Sequence, residues 1–152
     1  MMGNPRLVCH VDGGARGNPG PAAIGVVFYD ETAFAHSLPD GEPPTFLLSW
    51  GARIGRATNN VAEYHAVLAA LDRAIEMGAK ELIVRSDSEL LVRQMNGQYR
   101  VKQAHLQALH QRVRNLAGRL GNVTFEHIPR SANREADRLV NAALDLVPPE
   151  AR

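Results

Sequence analysis

At Asn60 the hydrophobic period of this chain changes, and that change decides which folds are open to it. Ahead of it lie three runs of strand character. Leu7–Val11 is short, apolar and followed by Asp12-Gly13-Gly14, so it reads as a buried strand ending in a turn. Gly17, Asn18, Pro19 and Gly20 form a dense turn cluster, and Ala23 to Tyr29 resumes a β-rich run, which predicts a hairpin. The polar, proline-rich stretch from Asp30 to Pro44 reads as a loop, and Phe46 to Ile54 as a third strand. From Asn60 to Met77 the apolar positions Val61, Tyr64, Leu68, Leu71 and Ile75 recur at helical spacing. Thr58 or Asn59 can cap the start of that helix, and Gly78 stops its end. Glu81–Arg85 predicts a fourth strand, and Asp87-Ser88 caps a helix running to about Asn96. Leu106, Leu109, Val113, Leu116 and Leu120 mark another helix. Val123–Ile128 is a fifth strand, and Asn133–Val147 a final helix closed by Pro148-Pro149.

The order β-β-β-α-β-α-α-β-α predicts an α/β fold on one five-stranded mixed sheet flanked by helices. Three consecutive strands imply an antiparallel meander, and the later βαβ crossings imply parallel pairing. With 152 residues, no internal repeat and no interdomain linker, residues 1–152 are expected to form one domain. Apolar residues at 45% and charged residues at 22% are the ordinary mix of a water-soluble globule. There is no apolar run of about 18 residues, so no membrane partner is expected. Met1 to Arg6 lacks the apolar core of a signal peptide. The one cysteine, Cys9, excludes an internal disulfide and suits a reducing, cytoplasmic setting; the sequon Asn122-Val123-Thr124 then has no use. The net charge of +1 is uninformative by itself, but residues 1–90 carry a net of −4 and residues 91–152 a net of +5. An acidic half that gathers metal and a basic half that meets phosphate would look like this, as would ordinary solvated helices.

Four acids sit where surface charge is not normally placed. Asp12 ends the first apolar strand and Asp87 ends the fourth; if those strands are parallel neighbours, both carboxylates emerge at the carboxyl edge of the sheet. Glu63 lies in the first turn of the long helix and Asp137 in the first turn or so of the last, where the backbone dipole favours anions. Carboxylates brought together repel and raise one another's pKa, so such a cluster is tenable at neutral pH only with cations. Oxygen ligands without Cys or His pairs favour Mg²⁺ or Mn²⁺, and two such ions can activate a water and stabilise a phosphodiester's leaving oxygen. Taken singly, each acid is as readily a turn former, cap or dipole partner.

The motifs weigh against that alternative. Val11-Asp12-Gly13-Gly14-Ala15-Arg16-Gly17-Asn18-Pro19-Gly20 strongly resembles the opening motif of ribonuclease H type 1. Thr58-Asn59-Asn60-Val61-Ala62-Glu63-Tyr64 resembles its second motif, Val84-Arg85-Ser86-Asp87-Ser88 its third and Asn133-Arg134-Glu135-Ala136-Asp137-Arg138-Leu139 its last. They stand in the family's order along the whole chain. The resemblance implies the ribonuclease H-like fold and Asp12, Glu63, Asp87 and Asp137 as metal-binding, catalytic carboxylates for two Mg²⁺, with Mn²⁺ as a substitute. It implies hydrolysis of the RNA strand of an RNA/DNA hybrid, leaving 5′-phosphate and 3′-hydroxyl ends. Backbone around Gly13 and Gly14 would approach the RNA strand, Asn18 and Asn60 would offer amides to the minor groove with its 2′-hydroxyls, and Thr58 and Ser88 would meet phosphates of the DNA strand.

The chain departs from the family in two places. The basic, Trp-containing protrusion of some members has no counterpart: Asn96 to Gln103 is brief, with only Arg100 and Lys102 basic. No separate hybrid-binding domain is expected ahead of residue 1. Hybrid affinity would then lean on the helix around Arg112, Arg114 and Arg119 and be salt-sensitive. The shorter, archaeal-like branch is closer, and some of its members also cut double-stranded RNA. The loop histidine that helps product leave in many members falls in His127 to Asn133, where Arg130, rather than His127, is the better fit to a flexible loop cation. A monomer is expected.

Other chemistries fit less well. No Gly-Lys-Ser/Thr follows the glycine-rich opening, so it is not a nucleotide-binding phosphate loop. His10, His65, His105 and His110 lack zinc-ligand spacing. His65 and His110 fit helix faces, Cys9 the core, and Trp50 strand packing, with base stacking as the lesser alternative for Trp50. Two rival readings are a resolvase- or transposase-like nuclease of the same fold and a non-catalytic hybrid-binding module. The Asn-Asn before Glu63 speaks against the first, and the presence of all four acids against the second.

Overall fold

The structure is a computed structural model that describes residues 6–30 and 46–146. Most of the loop expected between Asp30 and Pro44, and the closing prolines, therefore lie outside the described residues. The elements are β1 (Arg6–Ala15), β2 (Gly20–Asp30), β3 (Phe46–Ala57), α1 (Asn59–Glu76), β4 (Glu81–Ser86), α2 (Glu89–Met95), α3 (Ala104–Leu120), β5 (Asn122–His127) and α4 (Arg134–Asp145). A single 3₁₀ turn, Arg130–Ala132, joins β5 to α4. The sheet order is β3-β2-β1-β4-β5; β1–β2 and β2–β3 pair antiparallel, β1–β4 and β4–β5 parallel. This is the predicted mixed sheet, with element ends moved by a few residues.

Continuous apolar runs belong in central strands covered on both faces, and β1 and β2 are such strands. Leu7, Cys9 and Val11 of β1 and Ile24, Val26 and Phe28 of β2 join the large core built with α1, α2 and α3, including Leu71, Leu91, Leu106 and Val113. The alternate residues turn to the other face. Val8, Val27 and Tyr29 pack with Ala136, and Ala23 packs with Val140, Ala143 and Leu144, so among the described residues α4 is the helix that covers that side. Cys9 is fully buried and burial pushes its thiol pKa up, which suits a core residue. Trp50 stacks on Phe28 with ring centroids 6.3 Å apart, as strand packing requires.

One buried polar network ties the three helices of the first face together. The Tyr64 hydroxyl donates to Gln94 Oε1 over 2.6 Å, and the His110 ring lies 3.1 Å from the Gln94 carbonyl. Among the described residues no helix is long and apolar enough to cross a membrane.

Candidate active site

Asp12 lies where two strand pairings part. Parallel pairing of β1 with β4 stops at Val11 and Ser86, while antiparallel pairing with β2 runs on to Ala15 and Ala22. The expectation that Asp12 ends its strand is corrected: β1 continues past it because its hairpin partner is still beside it. Asp87 does follow the last residue of β4, so both carboxylates stand at the carboxyl edge of neighbouring parallel strands.

Glycines seat the helices that bring in the other two acids. A Cβ on Gly13 would lie 2.4 Å from the Ala62 carbonyl, so only glycine lets the start of α1 rest on β1 and carry Glu63 to Asp12. On the opposite face Asp12, Gly25 and Gly51 are cross-strand neighbours in one row over β1, β2 and β3. A Cβ at Gly25 would come within 2.3 Å of the Ala136 carbonyl, and one at Gly51 within 2.6 Å of the Leu139 carbonyl. The backbone of α4 therefore lies directly on the glycine pair, with Asp137 next to Asp12. Asn133 locks that placement: buried at 1% exposure, it donates Nδ2 to the Val11 carbonyl over 2.9 Å.

Asp12, Glu63, Asp87 and Asp137 together line one cleft of about 430 Å³, with Gly13, Gly14, Arg16, Asn59, Arg130 and Asn141 also contributing. The Asp12 pKa is raised to about 8 by burial first, then by the charges of Asp87 and Asp137, a hydrogen bond with Asp137, and Glu63. Glu63 is raised to about 7 by burial, against a hydrogen bond from Ser88, with Asp87 adding to the rise. Mutual repulsion of the acids thus registers on two of them. No three or more His, Cys, Asp or Glu side chains among the described residues are already closed around one ion position. The cleft's donor set is four carboxylates with no His or Cys, which fits a hard divalent cation.

Some placements differ from expectation. Helix α1 begins at Asn59 with Thr58 as its cap, so Glu63 sits in the second turn and not the first, beyond the strongest part of the dipole. Asp137 is in the first turn of α4 as expected. Asn18 accepts the Asn59 backbone N–H over 2.9 Å, and Asn59 Oδ1 accepts the Ala15 N–H over 2.8 Å, a reciprocal clasp between hairpin and helix. Asn59 therefore lines the cleft, whereas Asn60 lies on a second groove of about 460 Å³ with Leu90, Tyr99, Arg100, Lys102 and Leu106. Thr58 Oγ1 accepts the Val61 N–H, and Ser88 Oγ accepts the Leu91 N–H while its proton serves Glu63. Arg130 lines the cleft, 83% exposed, with Nη2 4.0 Å from Asp137 Oδ1. His127 ends β5, exposed and outside the cleft lining.

Reading the sequence alone overlooks Gly25, Gly51, Asn59 and Asn133. Gly25 and Gly51 interrupt apolar strands, a known sign of close backbone approach. Asn133 begins the last motif without any local reason for being buried.

A family model described as reverse transcriptase-like matches residues 10–143. The chain is 43% identical over 140 residues to a bifunctional protein of Mycobacterium tuberculosis, covering 92% of this chain and 36% of that protein. It is 38% identical over 140 residues to ribonuclease HI of Halobacterium salinarum, covering 92% of this chain and 65% of the relative. The chain thus spans about a third and two thirds, respectively, of the lengths of these curated relatives. Among solved structures, it superposes on RNase H1 of Halobacterium salinarum with a TM-score of 0.81 at 37% identity, covering 92% of this chain and 98% of that one. It also superposes on LC11-RNase H1 in complex with an RNA/DNA hybrid with a TM-score of 0.81 at 43% identity, covering 91% and 96%.

Proposed function

The chain belongs to the ribonuclease H type 1 family, and from that membership we propose that it hydrolyses the RNA strand of RNA/DNA hybrids to 5′-phosphate and 3′-hydroxyl ends. The observation that carries the reading is the meeting, in one cleft, of Asp12, Glu63, Asp87 and Asp137 from four separate parts of the chain, with Asp12 and Glu63 pushed up in pKa by burial first and then by neighbouring carboxylates, Asp87 among them in both cases. Such a cluster lowers stability on its own and has a use only as a cation site. Asp12, Glu63, Asp87 and Asp137 would hold two Mg²⁺, or Mn²⁺ in their place. When bound, the ions supply a water nucleophilic at neutral pH and stabilise charge on the phosphate and the leaving oxygen.

The chain's own residues bind and orient the substrate. Gly14 presents bare backbone to the cleft, next to Asp12. Asn18 and Asn59 spend their side-chain oxygens on the clasp, which leaves amide N–H donors for the minor groove, where a 2′-hydroxyl marks RNA. The second groove, lined by Arg100 and Lys102 together with Tyr99 and Leu106, suits the uncut strand in place of a basic protrusion. Thr58 and Ser88 stand at the starts of α1 and α2, where backbone N–H groups favour phosphate. Arg130 is placed to draw away the product's phosphate. On this reading residues 1–152 act as one domain and as a monomer, and the four carboxylates of the site need no second chain to complete them.

The test is a strand-labelled RNA/DNA hybrid incubated with Mg²⁺, Mn²⁺ or EDTA, beside double-stranded RNA and DNA duplex. Metal-dependent scission of the hybrid's RNA strand is the expected result, and cutting of double-stranded RNA would extend the substrate range. Folded protein that binds the hybrid without cutting it in either metal would make the chain a binding module instead.

A further inference from the structure

Two basic side chains line the cleft, and they are held differently. Arg130 approaches one of the four acids. Among the described residues Arg16 instead meets one acid, Nη2 to Asp145 Oδ1 at 2.7 Å, at the end of α4. Both partners are open to solvent, with side chains 49% and 67% exposed. Exposed pairs of this kind contribute little to stability. The contact is not two-pronged, so other guanidinium N–H groups stay available for a second acceptor. The stem of Arg16, by contrast, is fixed: its backbone N–H donates to the Pro21 carbonyl over 2.8 Å, and the neighbouring Ala15 is tied to Asn59. A rigid base and a weakly held head, at the rim of a cleft crowded with carboxylates, describe a cation that can change partner.

Pinning α4 is a poor explanation for the pair. That end of the helix has its own tether in the bond from Arg53 to the Leu146 carbonyl, and Val140, Ala143 and Leu144 are buried against the sheet. We propose that Arg16 is a phosphate clamp held in reserve by Asp145: an incoming RNA-strand phosphate displaces the Asp145 carboxylate from the guanidinium. Asp145 thereby tunes affinity, repelling polyanions that do not reach Arg16 and releasing it to those that do. This rests on the proposed nuclease function, since it takes the polyanion to be the hybrid's backbone.

The two roles separate because they predict opposite signs. Affinity for a fluorescent RNA/DNA hybrid is measured in EDTA at several salt concentrations for wild type, Arg16→Gln, Asp145→Asn and the double variant. A clamp predicts that Arg16→Gln weakens binding by roughly 5-fold and lowers the log–log salt slope by about 0.9. Asp145→Asn then tightens binding, and the gain disappears when Arg16 is also replaced. If the pair only staples α4, both single variants weaken binding alike, with the same loss of melting temperature, and the proposal is overturned. A gain from Asp145→Asn that persists without Arg16 overturns it too, since bulk charge would then suffice. Wild type that binds no hybrid overturns the functional reading along with this one, whereas wild type that binds normally with no effect of Arg16→Gln overturns this one only.

Discussion

Asn133 donates its side-chain amide to the carbonyl of Val11, 122 residues away, over 2.9 Å. That bond joins the start of α4 to the residue preceding Asp12, so the last carboxylate of the site is positioned by the strand that carries the first. Asn133→Ala leaves the Val11 carbonyl without this donor in a buried setting, at a cost of about 1–3 kcal/mol. For a domain of this size that is a fall of roughly 2–4 °C in melting temperature per kcal/mol. Calorimetry would show it, and hybrid cleavage should fall further than stability alone explains, because Asp137 loses its alignment.

Two glycines of neighbouring strands, Gly25 and Gly14, make a contrast in the room around them. Gly25→Ala places a methyl 2.3 Å from the Ala136 carbonyl, so α4 must lift. Overpacking of this kind costs about 1–3 kcal/mol, and the lifted helix takes Asp137 with it. Gly14→Ala has room, its nearest neighbours being Val140 Cγ1 at 3.7 Å and Asn59 Oδ1 at 3.9 Å. The first variant should lose both thermal stability and Mg²⁺ affinity. The second should keep its stability, and equal melting losses in both would refute the seating argument.

Asp12→Asn removes a charge without changing size. In EDTA at pH 8 the wild-type acids repel one another, so the variant should melt a few degrees higher than wild type. A lower melting temperature under those conditions would mean that Asp12 is held by favourable contacts and that the cluster is not strained.

Metal-free stability should also depend on pH in a defined direction. Asp12 and Glu63 titrate near 8 and 7 in the folded protein, against about 3.8 and 4.5 for ordinary carboxyls. The folded state therefore binds protons more tightly than the unfolded one, and stability declines as pH rises from about 4 towards 8. His10 runs the other way. Burial and then the charge of Arg85 lower its pKa to about 4 from 6.5, so its contribution is present above 6.5 and is lost as pH falls towards 4. The difference between melting curves with Mg²⁺ and with EDTA isolates the acids, and it should widen from pH 5 to pH 8. A constant difference would contradict the charge cluster.

The strands and helices were legible because their apolar periods are local. Asp87 at the end of β4 and Asp137 in the first turn of α4 follow from that pattern, whereas the parallel neighbouring of β1 and β4 enters the sequence reading only as a condition and is supplied by the sheet itself. What the pattern hides is long-range. The burial of Asn133 depends on a carbonyl 122 residues away. The need for glycine at 25 and 51 depends on a helix more than 80 residues later in the chain. Asn59 and Asn60 are adjacent and alike, and only the start of α1 at Asn59 decides that the first faces the cleft and the second the neighbouring groove. Arg16 and Asp145 carry no mark in sequence of their pairing.

The most direct test is a Mg²⁺ titration of RNA-strand cleavage in a labelled hybrid, for wild type and for Asp12→Asn, Glu63→Gln, Asp87→Asn and Asp137→Asn. If the four carboxylates hold the metal, wild type cuts only with metal. Each variant then loses several kcal/mol of transition-state stabilisation, on the order of 10³-fold in rate at low Mg²⁺. Cleavage that persists in EDTA, or full activity in Asp12→Asn at wild-type Mg²⁺ concentrations, would contradict the account.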